Sequence, residues 1–296
     1  MANAREILSR MKSVQDTRKI TNAMYLISST KLKKSKKLLE ETEPYFYSLQ
    51  DLIRRILRHM PDVEHFYFNP RKEIKEEDRV KGLIVITGDK GLAGAYNHNV
   101  LKMAQEWMEQ SKNHRLYVVG ELGRHYFEAR HIQVEEQFHY TVQNPTMHRA
   151  RLISSTILED YEEGRLDEVW IIYTQMLNSM QMEAEMTALL PLKRRISAIS
   201  SSLRISSRRR YRWCHLPALS WTTCPQLCDR IHIRALVESF CSEQNARMMA
   251  MQSASDNANA ILNDLSIEYN RVRQAAITQE ITEVISGAKA QKKKHS

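Results

Sequence analysis

Residues 236–286 read LVESFCSEQNARMMAMQSASDNANAILNDLSIEYNRVRQAAITQEITEVIS, with neither Gly nor Pro anywhere in the run. The absence of both helix breakers over such a length predicts one long helix. Taking Val237 as an a position of a heptad puts Val237, Gln244, Met251, Ala258, Leu265, Val272 and Gln279 in one row. The matching d row is Cys241, Met248, Ser255, Leu262, Tyr269 and Ala276. Most of these are apolar or aromatic, sustained over about six heptads, which predicts a coiled-coil seam. At ~1.5 Å of rise per residue, roughly fifty residues make a rod on the order of 75 Å long.

A helix with one such seam needs a partner, because isolated long helices are marginal. The other end of the chain supplies it. Met1 to Thr42 also lacks Gly and Pro, and its seam runs Ile7, Val14, Thr21, Ser28 with Met11, Arg18, Tyr25, Leu32 and Leu39. Small and polar residues in these rows predict a loosely packed pair. The middle of the chain can return the second helix antiparallel to the first. The Met248, Met249, Met251 cluster reads as helix packing, and the Lys31, Lys33, Lys34, Lys36, Lys37 run as a solvated helix face.

Composition sets the outer limits. The chain has 296 residues, 44 Lys+Arg against 35 Asp+Glu, 42% hydrophobic and 27% charged residues, which is an ordinary globular balance. No run of eighteen apolar residues occurs, so no membrane-spanning helix is predicted. The N-terminus shows no secretory signal, and four Cys in this length make no disulfide scaffold, so an intracellular protein is expected.

Six of the eight Gly fall between Gly82 and Gly123, marking a compact middle domain. Gly82-Leu-Ile-Val-Ile-Thr87 has the pattern of a buried strand, four apolar residues rich in β-branching. A helix is predicted over 99–112, a strand over 115–120, a helix over 150–163 and strands over 168–174 and 186–192. Alternation of this kind predicts a Rossmann-like α/β domain with a largely parallel sheet.

Between the first strand and its helix lies Gly88-Asp-Lys-Gly-Leu-Ala-Gly94, where a nucleotide-binding fold would hold phosphate. The spacing is neither Gly-x-Gly-x-x-Gly nor the P-loop pattern, and Gly91 stands where a magnesium-holding hydroxyl would follow Lys90. A structural turn is the better reading, with a dinucleotide-binding α/β enzyme carrying coiled-coil arms as the alternative. No His-Glu-x-x-His, Gly-x-Ser-x-Gly or Cys-x-x-Cys motif is present, and no cofactor, metal or catalytic residue is predicted.

Three segments then carry a family resemblance. They are Glu6 to Met24 continuing to Lys33, Ile86-Thr-Gly-Asp-Lys-Gly-Leu-Ala-Gly-Ala-Tyr-Asn97, and Ser242-Glu-Gln-Asn-Ala-Arg-Met-Met-Ala-Met-Gln-Ser-Ala254 with Tyr269 to Ile281. In sequence and order the chain closely resembles the gamma subunits of F-type (rotary) ATP synthases. The resemblance implies a non-catalytic rotor: an antiparallel two-helix rod inside the ring of alpha and beta subunits, and an α/β foot. That foot would rest on the c-ring beside the epsilon subunit. It implies a peripheral place on the cytoplasmic face of a bacterial cell membrane, membrane association through the membrane sector only, and no nucleic-acid partner. By family motif, Arg273 and Gln274 meet the catch loop of a beta subunit, and Arg247 and Met24 are further rotor–stator contacts.

The expected organisation is therefore an N-terminal helix over 1–60, an α/β domain over 75–192, a C-terminal helix over 235–288 and a basic tail over 289–296. Residues 193–234 stand apart. Between Arg194 and Arg234 lie nine Arg, no Lys and one acid, Asp229, so +8 of the net charge of +9 is local to this segment. Three of the four Cys (Cys214, Cys224, Cys228) are here too. An Arg-rich binding insert and a metal site from these Cys with His215 and His232 are alternatives; the latter lacks close ligand pairs. The abrupt change of residue usage fits a stretch translated out of frame, which would remove a family strand and helix from the foot.

Overall fold

A computed structural model of the chain describes residues 4–59, 67–68, 74–75, 78–111, 113–136, 138–178, 181–192 and 216–294. The elements in order are α1 (Ala4–His59), β1 (Lys81–Ile86), α2 (Tyr96–Gln110), β2 (His114–Val119), α3 (Glu121–Glu128), α4 (Met147–Glu162), β3 (Glu168–Met176), β4 (Met182–Leu190) and α5 (Leu216–Lys294). Contacts divide the chain into two compact units, Ser29–Ala246 and the pair Met1–Ser28 with Arg247–Ser296.

In the larger unit, four strands form one sheet in the order β2-β1-β3-β4. β1 pairs in parallel with β2 and β3, and β4 closes the edge antiparallel to β3. Alternation sorts the strand side chains. Leu83, Val85, Leu116, Val118 and Ile172 pack with Val100, Leu101, Ala104 and Trp107 of α2 and Phe127 of α3. On the opposite face Tyr117 reaches Asp160 of α4. Helices cover both faces, as a parallel sheet requires. Full burial of each such aliphatic side chain is worth roughly 1.5–3 kcal/mol.

The ends of β1 and β2 meet closely. Thr87 donates through Oγ1 to the Val119 carbonyl (3.1 Å) and accepts from the Gly123 amide (3.0 Å). Gly120 has φ +103°, and a Cβ there would lie 2.3 Å from the Thr87 carbonyl oxygen. Only glycine fits both the backbone angle and the gap.

In the same unit α1 and α5 run antiparallel. Ser35 hydrogen-bonds with Cys241, and ten residues on along α1 the Tyr45 ring is covered by Arg230 (4.0 Å), further back along α5. The heptad reading shows in the burial. Val237, Gln244, Met251, Ala258 and Leu265 are all buried, and Met248, Ser255, Leu262 and Tyr269 are half-buried. On α1, Ile7, Thr21, Ser28 and Leu32 are buried, with Val14, Met11, Arg18, Tyr25 and Leu39 half-buried. In the smaller unit Arg18 donates to Asn259 Oδ1 at 2.7 Å.

Several boundaries differ from the sequence reading; α2 and α4 each begin three residues early, and α5 continues to Lys294, through most of the expected basic tail over 289–296. β4 begins at Met182 rather than 186, and α3 was not foreseen. α5 begins at Leu216, ahead of the expected 235, and runs through Pro225. A helix tolerates an interior Pro where the surrounding contacts outweigh the lost hydrogen bond. Those contacts exist: Leu227, Cys228 and Ile233 are buried, continuing the helical spacing backwards. Asp229 lies 3.7 Å from Arg151 of α4. The Arg-rich stretch 193–215 and its Cys214 and His215 lie outside the described residues.

Candidate functional site

The glycine loop after β1 is built from its own residues rather than left open for an anion. The Gly88 amide donates to Asn97 Oδ1 at 2.7 Å. The Asp89 carboxylate accepts from the amides of Glu121 (3.3 Å), Val142 (3.3 Å) and Gln143 (3.2 Å). The amide at the start of α3, which could serve a phosphate, is thus taken by a carboxylate that repels one. Leu92 and Gly94 carry the positive φ angles that close the turn.

A second group fills the same end of the sheet. The pairing of β3 with β1 ends at Ile172, opposite Val85. Two residues further on, both backbone groups of Thr174 are taken by α5. The Thr174 amide donates to Ser239 Oγ at 3.2 Å, and Ser242 Oγ donates to the Thr174 carbonyl at 3.1 Å. Two hydroxyls three residues apart on a helix take the place of the missing strand neighbour. The next residue, Glu243, lies over the glycine loop: a Cβ on Gly88 would stand 3.1 Å from its carboxyl carbon.

These contacts belong to a belt of buried polar side chains. Glu238, Ser239, Ser242, Glu243, Gln244, Asn245 and Arg247 are each less than a tenth exposed. The sequence reading used Gln244 as an a position and Arg247 as a rotor contact, and gave no structural role to the others. The signal was present in Ser242-Glu-Gln-Asn-Ala-Arg247, where polar residues occupy every face of the helix, so that no side was left for water alone.

The four residues expected at rotor contacts fall in the smaller unit and are not brought together. Met24 is half-buried and Arg247 is buried. Arg273 and Gln274 are both exposed, about 39 Å further along the helix than Arg247 at 1.5 Å per residue. From Arg273 to Gly287 every residue of α5 is exposed, including Ile277, Ile281, Val284 and Ile285. Among the described residues no three His, Cys, Asp or Glu are grouped to hold a metal ion. No described helix is long and apolar enough to cross a membrane.

An α/β domain with a filled glycine loop, in a chain with a long helix at each end, defines the class of protein, and comparisons agree. The family model described as ATP synthase matches residues 3–291. The chain is 42% identical to the ATP synthase gamma chain of Acetivibrio thermocellus, over 99% of this chain and 100% of that one. It is 43% identical to the gamma chain of Ruminiclostridium cellulolyticum, covering 97% and 98%. A sodium ion specific gamma chain from Acetobacterium woodii is 34% identical, covering 97% and 98%. The central stalk of the Tetrahymena thermophila mitochondrial ATP synthase superposes with a TM-score of 0.58 at 21% identity, covering 80% of this chain and 99% of that one. The chain belongs to the ATP synthase gamma chain family.

Proposed function

We propose that this chain is the central-stalk rotor of an F-type ATP synthase, coupling ion flow through the membrane sector to ATP synthesis or hydrolysis. The observation that carries the mechanism is α5, one helix of 79 residues. Its seam is buried at every a position from Val237 to Leu265, and its surface is bare from Arg273 to Gly287.

A seam held by a few buried residues gives a shaft that resists bending while leaving most of its surface to its surroundings. That surface carries exposed apolar side chains, Leu8, Ile20, Leu26 and Ile27 on α1 and Ile261, Ile267 and Ile277 on α5. Apolar positions of this kind suit a shaft enclosed by a sleeve of alpha and beta subunits. Arg273 offers a guanidinium where an acidic loop of a beta subunit can grip it bidentately, and Gln274 adds a hydrogen-bonding neighbour. The α/β layers serve as the foot, seated on the c-ring with the epsilon subunit. The complex then lies peripherally on the cytoplasmic face of a bacterial membrane. No catalytic group, cofactor or nucleic acid is asked of this chain. The alternative, a dinucleotide-binding enzyme, is opposed by Asp89 and Glu243 at the glycine loop.

The test is reconstitution with alpha and beta subunits of a related bacterial enzyme. A complex with ATPase activity, in which a bead on this chain turns with ATP, supports the reading. A stable chain that never enters the complex would sink it.

A further inference from the structure

We propose that Ser239, Ser242 and Glu243 form a torque key, fixing α5 against rolling about its own axis on the β-sheet. The inference rests on the rotor reading above and names where load passes from the α/β layers into the helix.

Apolar packing is non-directional. A helix lying on a sheet through aliphatic side chains alone can roll between similar packings under load. Hydrogen bonds are directional and weaken steeply once bent. Here the Ser239 and Ser242 hydroxyls grip the amide and the carbonyl of one residue, Thr174. Turning α5 in either direction strains both bonds together, and these groups have no strand neighbour to return to, because β1 has already ended.

One residue further, about 100° around the helix, Glu243 is held against the loop after β1 rather than against β3. A Cβ at Gly88 would stand 3.2 Å from Glu243 Oε1 and 3.3 Å from Asn97 Oδ1, so the carboxylate occupies space only a glycine leaves. α5 is thus braced at two different azimuths, against β3 and against the loop after β1. Ser239 and Ser242 are fully buried and Glu243 nearly so, so water cannot substitute for the partners they hold. A seam optimised only for stability would place aliphatic residues here; polar groups define one angular setting.

The test uses the assembled complex, its alpha and beta subunits fixed to a surface and a bead attached through Leu177→Cys at the exposed turn after β3. The angular spread of the bead is recorded during pauses between steps, for the unmodified chain, for Ser239→Ala/Ser242→Ala and for Gly88→Ala. Both variants are expected to widen the spread at an unchanged ATPase rate. The Thr174 amide should exchange with solvent about five-fold faster in the serine variant, as loss of one buried hydrogen bond implies. Faster exchange with an unchanged spread would overturn the proposal, since the serines would then be structural only. If the serine variant does not assemble, Gly88→Ala decides: it disturbs the same key from the sheet side, and an unchanged spread overturns it. If the unmodified chain never turns, the rotor reading falls first and the key with it.

Discussion

The Tyr117 hydroxyl donates to Asp160 Oδ2 at 2.5 Å, tying the middle of β2 to α4 through the buried face of the sheet. Burial first, then the Asp160 carboxylate, pushes the phenol above its usual range, so it stays a donor wherever the protein is folded. Tyr117→Phe leaves the carboxylate to Arg165, 2.8 Å away at the rim. The expected cost is about 1–3 kcal/mol, read as a lower urea midpoint at unchanged slope.

His232 should make stability fall in mild acid. It is buried, its Nδ1 donates to the Cys228 carbonyl at 2.8 Å, and burial lowers its pKa to about 4 from 6.5. Above pH 6.5 both folded and unfolded forms are neutral and the residue has no effect on the slope. Below it the unfolded chain takes up a proton that the folded one refuses, so stability drops by about 1.4 kcal/mol per pH unit until pH 4 is reached. His232→Leu should flatten unfolding free energy against pH by close to one proton between those limits; an identical slope in both proteins would contradict it.

Gly120→Ala should be among the most damaging single-methyl changes in the chain. The new Cβ would sit 2.3 Å from the Thr87 carbonyl, at a φ of +103° that side chains avoid. A loss of ~3 kcal/mol or more is expected. Gly91→Ala, in the same domain but with nothing within 4 Å of the added carbon, is the control.

Arg273 and Arg247 should separate contact from folding. Arg273 is exposed, so Arg273→Ala should change unfolding by no more than about 0.5 kcal/mol, while lowering ATP-driven rotation in the assembled complex. Arg247 is buried, and Arg247→Ala should cost about 1–3 kcal/mol before any partner is present. Urea titration of the free chain beside ATPase assays of the complex reads both. Equal destabilisation by the two changes would remove the distinction.

The long helices were legible because their evidence is one-dimensional: Gly and Pro are missing, and the a row from Val237 to Leu265 repeats every seven residues. The three parallel strands were legible for a similar reason, as short apolar runs rich in β-branched residues. What escaped depends on contacts distant in sequence. Ser239 and Ser242 read as ordinary polar helix residues until Thr174, some 65 residues earlier, is placed beside them. Arg247 is a rotor contact by family motif, and its burial is seen only in the fold. The start of α5 was placed at 235 because the residue usage of 193–234 departs from the rest of the chain, while the burial of Leu227 and Ile233 that carries the helix further back is tertiary. Reading the coding DNA of 194–234 in the other frames checks the out-of-frame origin expected for that segment.

The unclad end of α5 has a consequence for the economy of the cell. A free copy of the chain displays Ile277, Ile281, Val284 and Ile285 along helical turns that nothing else in the described chain covers. Such a surface invites self-association and the attention of chaperones and proteases. The subunit is therefore a poor thing to stockpile: its synthesis has to be matched to that of whatever sheathes it, and surplus copies carry the mark of their own removal.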